Sequence, residues 1–215
     1  MNNLELYHHG VKGQKWGVRR FQNYDGTPIL KKGTIVKRVS NSRSDSATYG
    51  NRKYVSINEE DHRKWDKHLG EAYIRENIGT FTQTYKTTKD LKVMNITKQG
   101  ELYSEMLLDS DFAKQAVKDT KYANEFLYRN PVGKESNDAA ENISRNVAAQ
   151  TETGKKFIAE VLKRNYDALV DTHGLNVAKN PVIILNPDSN IEKAAEPVYT
   201  KAVEDFLKRH NISAA

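Results

Sequence analysis

Between residues 8 and 23 the sequence reads His8-His9-Gly10-Val11-Lys12-Gly13-Gln14-Lys15-Trp16-Gly17-Val18-Arg19-Arg20-Phe21-Gln22-Asn23. Lys12, Lys15, Arg19 and Arg20 surround one large aromatic, Trp16, and glycines at 10, 13 and 17 joint the stretch. Cations seek phosphates or acidic side chains, and a buried tryptophan dominates a small interface, so the composition suits docking. The plainer alternative is a basic tail with no specific partner. Adjacent His8 and His9 supply too few ligands for a metal, and His62 and His68 point in different directions on a helix. The chain has no cysteine, which removes disulfides, thiolate catalysis and Cys-type zinc sites. It also lacks the Gly-x-x-x-x-Gly-Lys phosphate loop, the Gly-x-Gly-x-x-Gly turn, the Gly-x-Ser-x-Gly elbow and the His-Glu-x-x-His helix. No metal is expected.

The elements that position these residues divide unevenly. The net charge is +6 over 215 residues. Residues 1–32 hold six basic and two acidic groups, leaving the rest nearly neutral. Glycine spacing suppresses any helical or strand period there, and Asn23-Tyr24-Asp25-Gly26 carries turn chemistry. Residues 1–32 therefore read as a basic docking segment and 33–215 as one globular domain. No apolar run is long enough to cross a bilayer, and the first residues hold no apolar signal-peptide core. The expected setting is the host cytoplasm or a virion.

Within the domain, Thr34–Ser40 and Lys53–Ile57 are β-branched and read as strands, followed by a helix over about 59–77 with Asn58 at its N-cap. Glu59, Glu60 and Asp61 fill its first turn, where the helix dipole favours acids. Phe81–Thr88 and Leu91–Ile96 read as strands, residues 101–150 as helix-rich with breaks near Asp109-Ser110 and Asn130-Pro131, and 154–165 as a helix with Phe157, Val161 and Leu162 inward. Tyr166–Asp171 and Pro181–Leu185 read as strands, with Asp171-Thr172-His173-Gly174 a turn. A last helix starts at Pro197, a residue tolerated in a first helical turn. Strands at both ends and helices in the middle imply a mixed α+β fold, not a doubly wound parallel sheet.

Two resemblances sharpen this reading. The His8–Asn23 stretch resembles a segment recurring in proteins of phages and prophages, often encoded near head or minor structural genes. That implies a phage accessory protein whose residues 8–22 engage a phage head or another phage or host protein. Weak nucleic-acid binding through residues 12–20 is a lesser use of the same charges. In the domain, Gly33–Ser40, Lys53-Tyr54-Val55-Ser56 and a helix bearing Asp61 and Trp65 resemble the opening of ADP-ribosyltransferase folds. Tyr166–Asp171 and Pro181-Val182-Ile183-Ile184-Leu185-Asn186-Pro187 resemble the closing strands of phage-encoded members.

The second resemblance implies a mainly antiparallel split sheet with helices and NAD as the bound dinucleotide. Arg38 takes the place of the arginine that grips its phosphates, Ser56 that of the serine bracing the nicotinamide pocket, and Tyr54 that of a stacking wall. Asp171 falls where these enzymes carry a glutamate that steadies the oxocarbenium, and Glu152, in Gln150-Thr151-Glu152, is a second candidate acid. The usual Ser-Thr-Ser triplet is absent. The rival readings are a solvent-facing Arg38, a turn-forming Asp171, and a non-catalytic virion or head protein using the fold as scaffold.

Overall fold

The strand-forming runs at the two ends of the chain meet in one sheet. The computed structural model describes residues 22–24, 27–44, 51–76, 80–129, 151–171 and 174–213. Nine strands lie side by side in the order β1 (Gln22–Tyr24), β2 (Thr27–Leu30), β6 (Leu91–Met94), β7 (Ala168–Val170), β8 (Pro181–Leu185), β4 (Arg52–Ser56), β3 (Ile35–Ser40), β5 (Phe81–Thr87) and β9 (Ile191–Tyr199). Neighbours are antiparallel except β6 with β7. Among the described residues the α-helices are α1 (Glu59–Glu76), α2 (Ile96–Met106), α3 (Ser110–Arg129), α4 (Glu152–Lys163) and α5 (Lys201–Arg209), with one helical turn at Pro187–Asn190. The architecture is mixed α+β with a mainly antiparallel sheet.

Alternation along the strands gives the sheet two apolar faces. On one, Val36, Val55, Tyr85, Val182 and Ile184 share a core with Leu30, Leu91 and Ile191. Leu30 and Leu91 come from one end of the strand order and Tyr85 and Ile191 from the other, so the sheet curls around this concave face. On the other, Met94, Leu169, Ile183 and Leu185 pack with Leu102 of α2 and with Phe157 and Val161 of α4. Thr151 caps α4 by accepting from the Gly154 N–H at 3.1 Å. Leu162, expected inward, is 36% exposed; it follows Val161 by about 100° of helical turn and leaves the buried stripe.

Two further expectations are corrected. Thr27–Leu30 lies within the stretch assigned to the docking segment, yet it pairs with β6 and buries Ile29 and Leu30. The composition change at Gly33 marks a turn inside the sheet, where Gly33 takes φ 81° and Thr34 N–H donates to the Lys31 carbonyl at 3.0 Å. A positive φ is where glycine is cheapest. Pro197 sits in β9, not in a helix. An edge strand tolerates proline because its outer N–H groups need no ladder partner. α5 starts at Lys201 and is capped from a distance, its first N–H donating to Asp66 of α1 at 2.9 Å. The Asn23–Gly26 and Asp171–Gly174 turns fall partly outside the described residues, as does the break at Asn130-Pro131. No helix among the described residues is long and apolar enough to cross a membrane.

Candidate active site

Strand β4 sorts its own side chains. Arg52, Tyr54 and Ser56 alternate onto the helix-covered face, while Lys53 and Val55 alternate onto the concave one. Tyr54 lies opposite Ile183, which lies opposite Leu169, and Tyr54 packs against their core. Ser56 lies opposite Pro181, whose carbonyl accepts from the Asp171 N–H at 2.9 Å. Asp171 therefore continues the row through Pro181 to Ser56, two strand spacings or about 10 Å away. Asp171 and Ser56 are both buried. The Asp171 carboxylate turns toward Gly174, where an added Cβ would lie 2.7 Å from Oδ2.

Electrostatics tie Tyr54 to three charges. Burial pushes its phenol well above the ordinary value, and the Asp171 carboxylate adds to this, while Arg52 and Arg38 pull it back. Tyr54 is thus a neutral phenol at physiological pH, in the field of all three charges. Arg52 is 1% exposed, and burial lowers the pKa of its guanidinium, opposed by Tyr54.

Arg38 reaches this neighbourhood from the other side. Strand parity places it with Val36 on the concave face, opposite Gln83. Ser56 and Tyr54 face the opposite way, so Arg38 and Ser56 do not share a face. Their strands are joined at one register position, Lys37 opposite Ser56. Each is fully laddered to its other neighbour. Beyond Lys37 the sheet is only loosely closed, and Arg38 and Tyr54 flank that line. Arg38 is half-buried with Nη1 shielded from solvent, so it is not a solvent-facing strand arginine.

Glu152 stands apart. It opens α4 with its side chain 60% exposed and pairs with Lys155 at 2.7 Å in its own helix. The docking candidates Lys12, Lys15, Trp16, Arg19 and Arg20 lie outside the described residues. Arg52 was missed because the strand was read as starting at Lys53. Its signal was alternation, since Arg52, Tyr54 and Ser56 share a parity. Among the described residues no three His, Asp or Glu side chains cluster to hold a metal. The site's assets are a buried carboxylate, which can steady a developing positive charge, and a neutral phenol, with the half-buried Arg38 on the neighbouring strand.

Residues 2–23 match a family of unknown function (DUF7211). No curated protein and no solved structure matches the chain.

Proposed function

We propose that the domain is an ADP-ribosyltransferase-like NAD-binding unit of a phage accessory protein, its front segment docking onto a phage head or another phage or host protein. The observation that supports the domain reading is the row that aligns buried Ser56 and Asp171 through Pro181, with Tyr54 on the same face of β4. The residues suit the dinucleotide: Arg38 offers a planar cation for its diphosphate, and Tyr54 offers a ring and a donor. The family match ends at residue 23, just inside β1, which supports treating the front segment as a unit of its own. In the reaction, the ribose–nicotinamide C–N bond breaks and nicotinamide leaves with the bonding electron pair. The ribose becomes an oxocarbenium, and an acceptor nucleophile on a host protein closes on it and releases a proton. Asp171 supplies negative charge beside that cation, and Ser56, along the same row, braces the pocket.

Calorimetric titration with NAD tests the binding. Asp171→Asn should lower turnover on the order of a hundredfold or more with little loss of fold. Arg38→Ala should chiefly weaken binding. Failure of NAD to bind at millimolar concentration sinks the reading. The scaffold reading then takes its place, favoured by the way Asp171 packs on Gly174.

A further inference from the structure

Beside Arg38, the concave face carries two cations that the reading above does not use, Arg43 and Lys53. Gln83, 2% exposed, lies beside Arg38 in the β3–β5 ladder. Its amide nitrogen donates to the carbonyls of Ser42 at 3.0 Å and Arg43 at 3.1 Å. These bonds pull the chain after β3 back over the sheet. There the Arg43 guanidinium sits 5.1 Å from the Phe81 ring centroid and 5.4 Å from that of Tyr199. The two rings stack at 4.9 Å. On the same face Lys53 is buried, its Nζ 3.3 Å from the Tyr85 hydroxyl and 4.4 Å above that ring. Tyr85 and Phe81 each lie two residues from Gln83 on β5, so the rings that Lys53 and Arg43 contact flank this glutamine, with Arg38 opposite it on β3.

We infer that this face, with Arg43 as its exposed member, seats a phosphate group. A buried amide fixes the main chain at Arg43, and two rings hold its guanidinium. Such a cation is preorganised, and its N–H donors lie in its own plane, suited to two phosphate oxygens. Arg38 and Lys53 stand on the neighbouring strands β3 and β4 of the same face and add positive potential to it. The inference rests on the NAD reading only for the phosphate's carrier, which that reading makes the diphosphate of the dinucleotide.

The test is calorimetry on the full chain with ADP, inorganic pyrophosphate, nicotinamide riboside and NAD, for wild type and Arg43→Gln. Arg43 is exposed, so the variant should fold, which a thermal melt checks. ADP and pyrophosphate should bind more weakly as salt rises, and Arg43→Gln should weaken both about tenfold or more, leaving nicotinamide riboside unaffected. The inference is overturned if neither phosphate ligand binds, or if both bind Arg43→Gln as they bind wild type. NAD binding that Arg43→Gln leaves intact would overturn it while sparing the NAD reading. ADP binding that depends on Arg43, without NAD binding, would do the reverse.

Discussion

Asp61 ties the first turn of α1 to the connection that enters β8, and its removal should loosen both. Its side chain is 1% exposed. It accepts from the backbone N–H of Lys179 at 2.8 Å and of Asn180 at 2.9 Å, and from Asn58 Nδ2 at 2.8 Å. A hydrogen bond to a charged group contributes about 1.5–3 kcal/mol net. The full sum does not apply, because Lys179 and Asn180 are exposed and water can satisfy their amides once the carboxylate is gone. Lys64, 3.8 Å away and 45% exposed, contributes less than about 1 kcal/mol. Asp61→Ala should therefore destabilise the domain by about 3 kcal/mol, and Asp61→Asn, which keeps one acceptor, by about half of that. Against a typical total of 5–15 kcal/mol, urea unfolding resolves both. A loss below about 1 kcal/mol in Asp61→Ala would refute the claim that this carboxylate holds the 179–180 amides, which lead into Pro181 in the row of Asp171 and Ser56.

Two further expectations follow from buried groups. His62 is buried with Nε2 3.2 Å from Thr82 Oγ1, and its Nδ1 has no hydrogen-bond partner among the described residues. Burial holds its pKa below 6.5, with Lys37 adding to the effect and Glu59 and Asp66 opposing it. Protonation thus favours the unfolded chain, so stability is whole above 6.5 and declines as pH falls below it, by at most about 1.4 kcal/mol per unit. Between about pH 7.5 and 5.5 the wild type should lose more stability than His62→Gln, and parallel curves would disprove this. Gly174→Ala places a methyl 2.7 Å from Asp171 Oδ2 and 2.9 Å from Pro181 Cβ, whereas Gly100 in α2 has nothing within 4 Å. The first should cost about 1–3 kcal/mol and the second should stabilise by up to about 1 kcal/mol; equal melting temperatures would contradict the close packing.

What could be read in advance was whatever a single segment decides. β3, β5 and β8 announced themselves because a strand half or wholly buried needs β-branched or apolar residues in sequence. α1 was legible from Asn58, whose Oδ1 accepts from the Asp61 N–H at 2.8 Å. β9 was hidden because most of its side chains face water at the sheet edge, so it shows little apolar period. The start of α5 was misplaced because its cap, Asp66, lies far away in the sequence. Asp61 looked like an ordinary first-turn acid, since an acid satisfies the helix dipole whether it faces water or the 179–180 amides.

The same division governs the site. Parity within a strand is fixed by alternation, so Arg52, Tyr54 and Ser56 can be grouped from their spacing alone. Parity between strands depends on register, and a shift of one residue moves every side chain to the other face. Lys37, not Arg38, is the residue opposite Ser56, and that single pairing puts Arg38 on the concave face with Gln83. A phosphate-binding role for Arg38 therefore stands or falls with the cations of that face, Arg43 and Lys53, and in the proposed reaction the carboxylate of Asp171 would act from across the loosely joined line between β3 and β4. A ligand that engages both must bridge that line, so an extended molecule with its anionic and reactive parts well separated fits this arrangement better than a compact one.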